Sequence, residues 1–354
     1  LNVFINLFVS LKKFSDMKKN LFFVGIAAAA MLASCSNDET MDIARNSQAI
    51  QFSSFVNKTT RATDIDNSNF KAFQVWGLME KDGQTGKPFE GTEVTSSDGS
   101  EWSYTTPVYW EDGYKYSFVA VAPKATGDNW TFTAPTTVGQ WGSIAFNNGD
   151  GTTDLIYDID DTYASSPVVM NKQCPAAINF TLNHMLSRVK FAFQNGMDDG
   201  SVINVTGVKI TNANVKATAA LDENVTWTLA ADNTPASLNF GNVVLDGEAT
   251  GFAAAETKET DHKYMIPVMG EEQTYTVQFK VIRTHHGVTD EYDHEVSIPS
   301  VDWAAGNSYA FVAKLEAKNI DPDTQLCEIK FSATVDKWED FNTPATELPV
   351  EPVE

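Results

Sequence analysis

Alternation at period two is what most constrains this chain. Tyr275, Val277, Phe279 and Val281 stand on one side of a run whose other side is Thr274, Thr276, Gln278 and Lys280. That spacing puts apolar residues on one face of a strand and polar residues on the other. Ile329, Phe331, Ala333 and Val335 repeat it against Lys330, Ser332, Thr334 and Asp336, and Tyr309, Phe311, Ala313 and Leu315 alternate in the same manner. Tyr116 and Phe118 lead into Val119-Ala120-Val121-Ala122 before Pro123 ends the run. No long stretch has helical spacing. Many short strands between clusters of Gly, Asn, Asp, Ser and Pro predict an all-β chain of antiparallel β-sandwiches and argue against a parallel α/β enzyme scaffold.

Over 354 residues, 42% hydrophobic, there is material for a packed core, so global disorder is excluded. A loop-rich stretch from Asn147 to Pro175 divides the run of strands. The expected organisation is an N-terminal sandwich over 49–172 and a C-terminal one over 173–338. Residues 339–354 form an acidic tail with Pro344, Pro349 and Pro352. No repeat of solenoid length stands out.

Acidic residues outnumber basic ones by 47 to 25, and a net charge of −22 repels a phosphate backbone, so no nucleic-acid partner is expected. Three cysteines without CxxC spacing exclude a disulfide framework and the common zinc knuckles. In an oxidising compartment Cys174 and Cys327 are a candidate pair, with two unpaired thiols as the alternative.

The N-terminus has its own logic. Met17 is followed by Lys18 and Lys19 and then by an uncharged run from Leu21 to Ser34. This is shorter than the roughly 20 residues that span a bilayer as a helix, so 17–34 reads as a signal peptide and 1–16 as upstream sequence or an alternative start. Leu32-Ala33-Ser34-Cys35 resembles a bacterial lipobox, which makes Cys35 the lipidated residue and outer-membrane lipid its partner. Ser36, Asn37, Asp38 and Glu39 open a linker over 35–48; a short acidic tract in that place resembles the signal that sends some lipoproteins to the outer face of the outer membrane.

Several constellations have residue types that could carry chemistry. His285, His286 and His294 sit near Asp290, Glu291 and Asp293 in what reads as a hairpin connection, but adjacent strand residues point to opposite faces, so a solvated turn is the better reading than a metal site. Asp150, Thr152, Asp154, Asp158, Asp160 and Asp161 lack the spaced ligand pattern of a calcium loop. His184 reads as a hydrogen-bonded core or interface residue, since no nucleophile and acidic partner accompany it. No catalytic residue, metal or cofactor is expected. The tryptophans read mostly as sandwich core, with Trp130 and Trp141 the two expected to be exposed.

A family resemblance is carried, in order along the chain, by Ile50-Gln51-Phe52, Thr60-Arg61-Ala62, Phe73-Gln74-Val75-Trp76-Gly77, Trp102-Ser103-Tyr104, Tyr109-Trp110, Asp154-Leu155-Ile156-Tyr157, the stretch from Phe180 to Val189, Trp303-Ala304-Ala305-Gly306-Asn307 and Val335-Asp336-Lys337-Trp338. With the lipobox, this resembles the fimbrillin-like (Mfa-like) lipoproteins, subunits of type V pili. The resemblance implies two transthyretin-like sandwich domains in tandem, export as a surface lipoprotein, cutting after an arginine by a trypsin-like protease, and polymerisation with other fimbrial subunits by strand exchange.

On the residues, Ile50, Phe52, Ser54 and Val56 face one way and Gln51, Ser53 and Phe55 the other, so Ile50, Phe52 and Val56 are the expected core contacts of an exchanged strand. Arg61 and Ala62 lie in a polar stretch suited to a protease. A donor strand is sought at Leu348 and Val350, although Pro349 and Pro352 each remove a ladder donor. The expected function is a surface fimbrial subunit or accessory adhesin. The alternative is a monomeric lipoprotein that captures a host or glycan ligand on exposed tryptophans.

Overall fold

The structure, a computed structural model, describes residues 49–56, 65–66, 69–170, 175–243, 251–268, 274–298, 303–323 and 327–337. It is all-β; no helix occurs among the described residues. The strands are β1 (Phe52–Val56), β2 (Ala72–Lys81), β3 (Gln84–Thr95), β4 (Lys115–Ala122), β5 (Trp130–Thr133), β6 (Ser143–Asn147), β7 (Ile156–Asp160), β8 (Ile178–His184), β9 (Ser187–Asn195), β10 (Val202–Ala213), β11 (Lys216–Ala220), β12 (Thr226–Leu229), β13 (Ala236–Val243), β14 (Thr257–Glu259), β15 (Lys263–Met265), β16 (Thr276–His285), β17 (Val288–Ser297), β18 (Asn307–Leu315) and β19 (Phe331–Lys337).

They form four sheets, ordered β1-β8-β7-β4-β2-β3, β12-β11-β6-β5, β13-β10-β16-β17 and β14-β9-β18-β19, with β15 also on β9. The antiparallel expectation holds for every pairing of named strands except two: β1 runs parallel to β8, and β9 parallel to β18. Long-range pairing brings these strands together, and local alternation carries no information about direction.

The last two sheets make the C-terminal sandwich. Val277, Phe279 and Val281 of β16 face Phe191 and Phe193 of β9 and Phe311 of β18 across one buried cluster, as their alternation requires. The pattern loosens only in β19: Phe331 is buried but Val335 is 47% exposed, because β19 is an edge strand. At the β16–β17 turn, His286 and Gly287 both have positive φ (48° and 79°) and His285 pairs with Val288, which is the two-residue hairpin turn that needs such backbones.

The six-stranded sheet is covered on both faces, by different means. Val119, Val121 and Tyr157 face Trp130, Ile144, Phe146, Ala219 and Trp227 of the β12-β11-β6-β5 sheet. Strands β11 and β12 follow β10 in sequence, yet β11 pairs with β6 and carries β12 on its other side, so part of the chain's second half completes the first half's sandwich. The other face carries Phe52, Phe73, Phe89, Phe118 and Phe180 and is closed by loop residues, among them Trp102, Tyr104, Trp110 and Tyr163. These loops are zipped by backbone bonds, with Gly113 N donating to Val168 O and Val168 N to Tyr114 O, both at 2.8 Å. Burial on both faces is why β4 reads as a near-continuous apolar run.

Residues 178–184, which follow the long loop in sequence, belong to the six-stranded sheet: β8 pairs with β7 at Ile156↔His184 and Tyr157↔Asn183. The two halves also touch at Gly151, whose φ is +72° and where a Cβ would stand 2.7 Å from Leu238 Cδ1 and 3.1 Å from Tyr264 O. Only glycine fits so close an approach with that backbone.

Candidate functional site

The segment that the sequence singles out, residues 50–56, lies at the edge of the six-stranded sheet. Alternation sends Ile50, Phe52, Ser54 and Val56 inward, and all four are buried; Phe55 faces out and is 52% exposed. Phe52 sits among four rings, with centroids 5.1 Å from Phe89, 5.7 Å from Tyr104, and 5.9 Å from both Phe118 and Phe180. Its register on β8 runs from Phe52↔Ile178 to Val56↔Leu182.

The start of the segment is fastened separately. Ile50 N donates to Val108 O at 2.8 Å, Ile178 N donates to Gln51 O at 2.8 Å, and Ala49 bridges Tyr109. The Tyr104 hydroxyl donates to Ile50 O at 2.6 Å. Burial pushes that phenol's pKa up, which keeps the proton in place for the bond. Among the described residues, no strand pairs with the outer edge of β1.

Past Val56 the chain runs into residues 57–64, which hold Arg61 and Ala62 and lie outside the described residues. It re-enters at Ile65, whose N–H donates to Asp154 Oδ2 at 2.9 Å. The other oxygen of Asp154 lies 2.9 Å from His184 Nδ1, and both side chains are buried. His184 ends β8, so both ends of the segment bearing Arg61 are held at one end of the strand that carries β1. His184 is thus a hydrogen-bonded buried residue, as its setting in the sequence implies. Its partner, and the Tyr104 contact to Ile50, had no signal in the sequence, because each joins residues far apart in the chain.

The remaining candidates separate. His294 is buried and its ring is stacked on Phe279 at 5.3 Å; burial lowers its pKa. His285 instead lies at the hairpin end, with Nδ1 3.2 Å from Ser201 Oγ. Asp150 accepts from the Thr152 hydroxyl, Asp160 from that of Thr162, and Asp158 accepts the Thr181 N–H at 2.6 Å. Burial raises the Asp158 carboxyl to about 6. Among the described residues, no group of His, Cys, Asp or Glu side chains converges as a metal site.

Trp130 corrects an expectation. It is buried, donating its ring N–H to Pro123 O at 3.2 Å, because β5 faces the six-stranded sheet. Trp141 is half-buried against the same cluster. No described tryptophan is exposed, Trp76, Trp102 and Trp141 being half-buried, and Trp338 lies outside the described residues. Cys327 is exposed, while Cys35, Cys174, Leu348 and Val350 lie outside the described residues.

Comparison with known proteins places this architecture. A fimbrial protein from Bacteroides vulgatus shares the fold with a TM-score of 0.57 at 18% identity, over 82% of this chain and 99% of that one. A candidate cell adhesion protein from Bacteroides ovatus does so with a TM-score of 0.50 at 14% identity, over 82% and 98%. No curated protein matches in sequence. The family profile described as fimbrillin-like matches residues 60–338, beginning just after β1 and running to the end of the second sandwich. The chain belongs to the fimbrillin-like family.

Proposed function

We propose that this protein is a surface-exposed fimbrial subunit or accessory adhesin, exported as a lipoprotein on Cys35 and assembled by exchange of β1. The observation that carries the reading is the burial of Ile50, Phe52 and Val56 on a strand at the edge of its sheet. Each large apolar side chain contributes about 1.5–3 kcal/mol when buried, so a groove emptied of all three attracts any strand that refills it. The ladder groups of β8 left bare by its departure add backbone pairing to that attraction.

Cutting after Arg61, by a protease of trypsin-like specificity, severs β1 from the body while Ile65 stays fixed on Asp154. The same cut parts the body from its lipid. Other fimbrial subunits are then the partners, each offering a strand to the next. In this chain the candidate donor is Leu348 and Val350, whose neighbouring Pro349 and Pro352 make a poor ladder and favour a tip or anchor position over the stalk.

Purified precursor treated with a trypsin-like protease should give an SDS-resistant ladder, and Arg61→Ala should abolish it. Wild-type protein that is cut and stays monomeric, or an Arg61→Ala ladder equal to wild type, overturns the reading.

A further inference from the structure

Four side chains of residues 50–56 point inward, and one differs in kind from the rest. Ile50, Phe52 and Val56 are apolar, whereas Ser54 brings a hydroxyl that is buried and has no hydrogen-bond partner. It stands opposite Phe180, between the Phe52↔Ile178 and Val56↔Leu182 pairs, and those three β8 residues are themselves buried. An unpaired hydroxyl in such surroundings costs free energy that an aliphatic side chain does not. On the outer face the neighbouring serine is satisfied, since the Ser53 hydroxyl donates to Asn179 Oδ1. The parallel ladder weakens β1 further, because parallel pairing is slightly less stable per residue than antiparallel pairing.

We infer that the inward position held by Ser54 is a selectivity subsite of the groove: the strand that replaces β1 carries an aliphatic side chain there, and Ser54 makes β1 the weaker occupant. The inference rests on the exchange reading above and gives that exchange a direction. A strand free of the buried hydroxyl outcompetes β1 by about tenfold.

The test compares the full chain with its Ser54→Ala and Ser54→Val variants. Before cutting, both variants should melt about 2–4 °C above wild type. After cutting, both should build the SDS-resistant ladder about tenfold more slowly, since β1 leaves less readily. Added during wild-type assembly, a synthetic peptide of residues 49–56 carrying Ser54→Val should block the ladder at about one tenth the concentration that the unaltered peptide needs. Melting of Ser54→Ala at or below wild type overturns the inference, because the hydroxyl then stabilises the strand. Melting of Ser54→Val below wild type while Ser54→Ala melts above it overturns the aliphatic subsite. Equal potency of the two peptides, with wild type assembling normally, sinks the subsite and leaves strand exchange standing. No ladder from cut wild type overturns the exchange reading and the subsite with it.

Discussion

Among the described residues, β1 runs parallel to β8 and β18 to β9, and β1 and β18 differ in how they are held. Strand β18 pairs with β9 from Ser308↔Arg188 to Leu315↔Asn195 and is flanked on its other side by β19, so it is interior to its sheet. Among the described residues, strand β1 pairs with β8 alone and ends its sheet. Both send aromatic side chains into a core: Phe311 is stacked on Phe191 at 5.7 Å, and Phe52 on Phe180 at 5.9 Å. Equal burial therefore coexists with unequal attachment. Withdrawing β18 breaks two ladders and opens the C-terminal core, whereas withdrawing β1 breaks one and leaves the rest of its sheet paired. A strand at the edge of a sheet can thus be as fully buried as one in its interior.

The contrast makes predictions that can be broken. The largest effect is expected at Phe311→Ala, which should cost about 3–5 kcal/mol in denaturant unfolding and lower hydrogen-exchange protection across β9, β18 and β19 together. Phe52→Ala removes the same ring and should cost about 3 kcal/mol, at the low end, with the loss of protection confined to β1 and β8. Protection lost throughout the six-stranded sheet in the Phe52 variant would erase the distinction between the two strands.

The smallest effect concerns the seam between β7 and β8. Their ladder covers two pairs, after which the Asp158 carboxylate takes the Thr181 N–H. Burial raises this carboxyl from 3.8 to about 6, so the folded protein holds the proton more tightly than the unfolded chain does. Its contribution is therefore favourable at acid pH, and stability is lost as pH rises from about 4 to about 6. Asp158→Asn should match wild type below that window and melt higher above it. A variant that melts lower at neutral pH would mean that the charged carboxylate holds β8 to the sheet.

Much of the β architecture was legible in the sequence. Period-two alternation located β1, β16, β18 and β19 and identified the inward residues of β16 and β18, because each buries an apolar face, whereas β4 showed as an apolar run because both of its faces are buried. The inward set of residues 50–56 was legible for the same reason, Ser54 included. Trp130 was not, because whether a ring at the start of a short strand meets solvent depends on the sheet laid over it. Nor was the partnership of Asp154 with Ile65 and His184, which assembles only when β8 returns to the first sheet.

Alternation and side-chain size thus determined that the chain is built of strands and which of their faces are apolar, since these follow from local backbone geometry and the burial of apolar surface. Tertiary structure decided the rest: that β1 and β18 run parallel to their partners, that β11 and β12 complete the sandwich of the other half, and that one strand is locked while another hangs at an edge. Pairing partners and strand direction depend on contacts between residues far apart in the chain, and nothing in a strand's own residues encodes which neighbour it will find.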